Sequence, residues 1–176
     1  MRENPSFTEL LRDQVRAGLT AAHQYLAAAV YFDAQDLPEL AGQTYARSTS
    51  NHGHAMRMVQ YLLDRDVPVS IGGLDEVRSE FDSPRAAIAF LLDRERVTTT
   101  QISALAAAAR DSNDFLGEQF VQWFLAEQVD DVAAMSTLLT VLDRQDNLFD
   151  VEQFVRRELR DTVRVDTTAP RMAGAR

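Results

Sequence analysis

Cysteine is absent from the 176 residues, which excludes disulfides, thiolate nucleophiles, Cys-ligated zinc and iron–sulfur clusters. Lysine is absent too, so all 18 basic residues are Arg; with the abundance of Ala, this reads as the codon bias of a GC-rich bacterial genome. Gly and Pro number only 7 and 5 and fall in a few places, leaving long stretches without helix breakers. No apolar run approaches the roughly 18 residues that a membrane span needs. The opening Met1-Arg2-Glu3-Asn4-Pro5 lacks the basic patch and apolar stretch of an export signal, so a cytoplasmic protein without membrane attachment is expected. Positive charge is in deficit, 18 basic against 27 acidic residues for a net charge of −9. That argues against nucleic acid as a partner and suits a protein that handles cations. With 45% apolar residues the chain is not of a disordered class, and at this length it can bury roughly 70% of the surface its unfolded form exposes. Any metal must rest on carboxylates and the 3 His.

What the chain does contain is helical periodicity. Ser6 and Glu9 after Pro5 form a capping-box pattern, followed at three- and four-residue steps by Phe7, Leu10, Leu11, Val15, Leu19, Ala22, Leu26 and Ala29. This predicts a helix over 6–34, and the Leu40, Tyr45, Met56, Val59, Leu62 series predicts a second over 37–65, with an unusually polar middle at 47–53. Pro68, Gly72, Gly73 and Pro84 break the stretch that follows, so 66–83 reads as one long crossover. Ser83-Pro84 supplies a cap and first-turn proline for a third helix to 110. A fourth, interrupted only by Gly117, is expected over 115–144, and a short fifth over 148–159. Four helices of roughly 27 to 31 residues are each about 40 to 46 Å long, well matched for side-by-side packing. The fold class is therefore all-α: a four-helix bundle with one long crossover and a short fifth helix, the connectivity of ferritin-like bundles. The bundle is assigned to 1–160. The tail 161–176 reads as disordered, and its three Arg against two Asp are too few for a nucleic-acid arm.

Four phrases carry a resemblance over 7–157: Thr20-Ala21-Ala22 with Gln24-Tyr25, Val30-Tyr31-Phe32-Asp33, Leu62-Leu63-Asp64-Arg65-Asp66, and Asp114-Phe115-Leu116-Gly117-Glu118-Gln119-Phe120 running on to Gln122-Trp123-Phe124-Leu125 and Glu127-Gln128. They resemble bacterial non-haem ferritins, particularly those of actinobacteria. The resemblance implies a hollow 24-subunit iron-storage cage whose subunits oxidise Fe(II) at a di-iron ferroxidase centre. By the same resemblance Glu95 matches a family ligand, and Glu127, Gln128, Asp130 and Asp131 match a Glu-Gln-x-Glu-Glu segment with its last two side chains shortened. His54 matches the His of Glu-Glu-x-x-His.

The departures fall on the same centre. The family's Glu on the first helix is Gly18 here, and the two Glu before the His are Ser50 and Asn51. A neutral Asn51 cannot bridge two cations as a carboxylate does, and two missing carboxylates should weaken a divalent-cation site by several kcal/mol. The preferred reading is a site retired as a unit, with di-iron ferroxidase activity lost or impaired. A remodelled mononuclear site on His54, Glu95 and Gln128 or Asp131 is the alternative. Glu127, Asp130 and Asp131 suit either a further metal position or a solvated acidic face. His52 stands where bacterioferritins, a less similar branch, carry a haem-ligating Met; His can ligate haem iron, but an exterior polar histidine is the preferred reading and haem is not expected. His23, Tyr25 and Trp123 read as structural first.

Within the family the leading expectation is iron storage or mineral housing, in a homo-oligomeric shell or one mixed with a catalytic subunit. A non-catalytic scaffold that keeps the shell, and an active ferroxidase with an altered site, are the competing readings. Restoring Glu at 18 and 51 is expected to rescue fast oxidation if the rest of the site is intact.

Overall fold

The computed structural model describes residues 5–145, 147–159 and 166–175. Ser6 starts the first helix, α1 (Phe7–Ala34), with both halves of the capping box formed with Glu9. The second, α2 (Pro38–Asp64), has no side-chain cap from its own first residues. Glu152, from the short fifth helix α5 (Leu148–Phe154), fills that role: its carboxylate accepts from Glu39 N at 2.8 Å and Leu40 N at 2.9 Å, which satisfies free donors at the positive end of the helix. Ser83 caps α3 (Pro84–Asp111) and Asp114 caps α4 (Phe115–Arg144). Asp36, Asp66 and Asn113, all in the left-handed region, turn the chain out of α1, α2 and α3; short polar side chains tolerate that conformation best. A single π-helical turn, Val155–Leu159, follows α5.

The core divides into two apolar clusters. One gathers Phe32 from α1, Leu40 from α2, Ile88 and Leu91 from α3, Leu138 and Leu142 from α4, and Val151 from α5. The other gathers Leu11 and Val15 from α1, Met58 and Leu62 from α2, Ile102 and Leu105 from α3, and Val121 and Phe124 from α4. The start of α3 thus shares an end of the bundle with the start of α2. The two run parallel, so the chain from 65 to 83 must traverse the bundle's length. It is held on the way: Arg12 Nε donates to Pro68 O at 3.0 Å, Asp75 N to Thr20 Oγ1 at 3.2 Å, and the Gln24 amide forms a reciprocal pair with the Arg78 backbone at 2.7 and 2.8 Å. Phe81 closes the crossover by entering the first cluster.

Gly117 does not interrupt α4. It lies in the first turn, where a Cβ would sit 2.8 Å from Phe7 Cε1, so the absent side chain admits the Phe7 ring. Among the described residues no helix is long and apolar enough to cross a membrane.

Expected disorder over 161–176 falls partly outside the described residues, at 161–165 and 176. In the described part, 166–175, the segment lies along α2 and α4. Trp123 Nε1 donates to Asp166 Oδ2 at 2.7 Å, Arg171 pairs with Asp64 at 2.7 Å, Ala173 N donates to Met56 O at 3.1 Å, and Arg57 donates to the Pro170 carbonyl. The segment meets its partners only once α2 and α4 lie side by side.

Candidate metal centre

Between the two apolar clusters lies a polar waist. Glu95, from the middle of α3, is 3% exposed and has a partner at each oxygen. The Tyr25 hydroxyl of α1 donates to Oε1, and Gln128 Nε2 of α4 donates to Oε2 at 3.3 Å. Gln128 Oε1 accepts in turn from Thr99 Oγ1 at 2.9 Å, which fixes the amide's orientation through its donor and acceptor ends. Burial, and then the charge of Asp131, raise the Glu95 pKa; the Tyr25 hydroxyl, Arg47 and Gln128 oppose them without cancelling the rise. Tyr25 is pushed well above the ordinary phenol value by burial and by the Glu95 charge, so it stays protonated and donates.

Asp131, one turn further along α4, is not free. Arg47 Nη1 of α2 donates to its Oδ1 at 2.7 Å, with the two side chains only 12% and 23% exposed. The sequence reading did not single out Arg47. Burial alone would make its charge costly, but Asp131, with Tyr25 and Glu95, more than offsets this and raises its pKa. A signal was present: 47, 51 and 54 follow the i, i+4, i+7 rule and so share one stripe of α2. Asn51, on that stripe, donates its side-chain amide to the Arg47 carbonyl at 3.0 Å. The side chain at the position of the expected bridging carboxylate is thus bonded within its own helix.

His54 has neighbours of its own. Its Nε2 lies 3.8 Å from Glu127 Oε2 and 3.5 Å from Ser50 Oγ, and its ring meets Trp123 and Phe124 edge-on at centroid distances of 5.3 and 5.8 Å. Asn51, His54, Gly18, Ala55 and Gln128 border a cavity of about 20 Å³, room for roughly one water. At Gly18 the helices α1 and α2 have closed: a Cβ there would lie 3.2 Å from Ala55 Cβ. Among the described residues no three His, Cys, Asp or Glu side chains converge as a metal cage requires. The residues grouped by sequence therefore split three ways. Glu95 and Gln128 stay together, Asp131 turns to Arg47, and His54 lies beside Glu127 and Ser50. Asp130 is exposed and lines, with Glu127, Asp131 and Glu158, an open depression of about 300 Å³.

His52 is on the exterior, as helical geometry places it. It shares with His23 a separate concavity of about 560 Å³ bordered by Leu19, Leu26, Ile71 and Leu74.

Four long helices, a full-length crossover and polar groups gathered at mid-bundle define a ferritin-like architecture. Residues 8–145 match the family described as "Ferritin-like domain", and the chain belongs to the ferritin family. It is 54% identical to "Ferritin BfrB" of Mycolicibacterium smegmatis, over 96% of this chain and 93% of that one. It is 27% identical to "Bacterial non-heme ferritin" of Staphylococcus aureus, over 77% of this chain and 82% of that one. Among solved structures it resembles an open pore ferritin from the hyperthermophilic archaeon Archaeoglobus fulgidus, with a TM-score of 0.81, 29% identity, and coverage of 85% of this chain and 93% of that one.

Proposed function

We propose that this chain is a shell-forming ferritin subunit that houses iron in the cytoplasm while contributing little or no di-iron oxidation of its own. One observation carries the reading: the α1–α2 side offers the waist no carboxylate. Gly18 has no side chain, Ser50 faces His54 and Asn51 bonds its own helix. Fe(II), as substrate, would meet Glu95 with both oxygens already accepting, and Asp131 already paired with Arg47. Two cations held a few ångströms apart need bridging and terminal anions to offset their repulsion, and these residues supply too few. The mononuclear alternative on His54, Glu95 and Gln128 or Asp131 has less support, because Asp131 is paired with Arg47 and, among the described residues, no three His, Cys, Asp or Glu side chains converge.

Assembly is supported by large apolar side chains left on the surface. Phe115 and Leu116, adjacent at the start of α4, are 71% and 67% exposed, and large apolar side chains exposed side by side suit a surface that a neighbour covers. A 24-subunit shell is the expected form, either homomeric or mixed with a catalytic subunit that supplies oxidation. The competing scaffold role, a shell without iron, is separated by loading purified protein with Fe(II) in air. Electron-dense cores inside the shells are expected; empty shells beside an external precipitate would support the scaffold instead.

A further inference from the structure

Arg47 presents an energetic problem with an informative solution. A buried guanidinium is favourable only when a paired carboxylate offsets its desolvation; this one, on α2, is buried at mid-bundle against Asp131 of α4 and within the field of the Glu95 charge of α3. Asp131 meets it directly at 2.7 Å. Its Nε is also buried and has no hydrogen-bond partner, so the fork is not fully used, and charge rather than complete hydrogen bonding accounts for its position. The Asn51 amide, by holding the Arg47 carbonyl at 3.0 Å, ties the same turn of α2 to the residue that replaces an expected carboxylate. The acids of α3 and α4 therefore face a covalently attached positive charge.

We infer that Arg47 is the resident cation of the waist: its guanidinium neutralises Asp131, faces Glu95, and excludes divalent cations from these acids. The inference rests on the proposed loss of di-iron chemistry and adds the device that enforces it. It also explains how the α3–α4 acids are retained in a bundle that folds without metal. A divalent cation arriving between Asp131 and Glu95 must either expel Arg47 or stand beside a like charge, and each is costly at this burial.

The test uses Co(II), a redox-inert probe whose visible spectrum reports its ligands, on the full-length assembled protein. Arg47→Gln keeps polarity and removes charge. It is expected to bind Co(II) at least about tenfold more tightly than wild type, the change that removing one adjacent like charge should produce. The new absorption should disappear when Asp131→Asn is added. Arg47→Lys keeps the charge and should exclude Co(II) as wild type does. If R47Q remains folded and gains no Co(II) binding, or if R47K gains as much as R47Q, the inference is overturned. Should R47Q fail to fold alone, it is refolded with Co(II): recovery dependent on the ion supports the inference, and no recovery overturns it. Rapid Fe(II) oxidation by wild type would defeat the parent reading instead, so the two failures are distinguishable.

Discussion

The two halves of the bundle have treated the same waist differently. On the α1–α2 side the anions are absent: Gly18 lets the helices close to a virtual Cβ distance of 3.2 Å from Ala55, and Asn51 bonds back to Arg47. On the α3–α4 side Glu95, Gln128 and Asp131 persist, but Tyr25, Thr99 and Arg47 occupy them. One half brings no anion to the waist; the other brings acids, one of them paired with a cation from across the bundle. Buried acids therefore do not by themselves signify a metal site. The polar groups around them decide whether an ion has anything left to bind.

The strongest way to break this comparison is to remove one member of the Arg47–Asp131 pair. Asp131→Asn leaves a guanidinium without its carboxylate and is expected to cost roughly 3 kcal/mol in urea unfolding, with most of it recovered in R47Q/D131N. If the single and double variants are equally unstable, the pair is not what holds the waist together.

Next in size is the attempt to restore the α1–α2 anions. The residue pattern alone predicts rescue by G18E/N51E, but Arg47 alters that expectation. With Arg47 in place, and with Ala55 having to give by a few tenths of an ångström to a new Cβ at 18, the double variant should leave Fe(II) oxidation slow. Adding R47Q should raise oxygen uptake by about tenfold or more, the effect of removing one adjacent like charge. Equal rates with and without R47Q would show that Arg47 is irrelevant to the loss.

A smaller effect concerns pH. Glu95 has a folded pKa above its ordinary 4.5, from burial and then Asp131, so its protonated form favours the folded state. That contribution is fully present below the unfolded value and is lost as pH rises through the folded one. The stability of wild type minus that of Glu95→Gln should therefore fall as pH climbs from about 4.5 towards neutrality. Denaturation midpoints of both proteins across that range check it; a constant or rising difference would contradict the assigned environment.

Much of the fold was legible because its signals are local. The Ser6–Glu9 box, Ser83-Pro84 and the Gly- and Pro-rich crossover each lie within a few residues of what they specify. At the centre, the loss of carboxylates at 18, 50 and 51 could be read residue by residue. What replaced them could not, because Arg47 and Asp131 are 84 residues apart and meet only through the packing of α2 on α4. The middle of α2 therefore read simply as polar, and Asp131 as a free ligand. The same limit hid the segment 166–175, whose contacts to Met56, Asp64 and Trp123 cross more than 40 residues.

The most direct test of the central claim is oxygen uptake when Fe(II) is added to the purified wild-type protein, compared with a bacterial ferritin whose di-iron ligands are intact. Uptake near the uncatalysed rate is expected. A rate matching the intact ferritin would show that the waist still performs di-iron chemistry and would contradict the account.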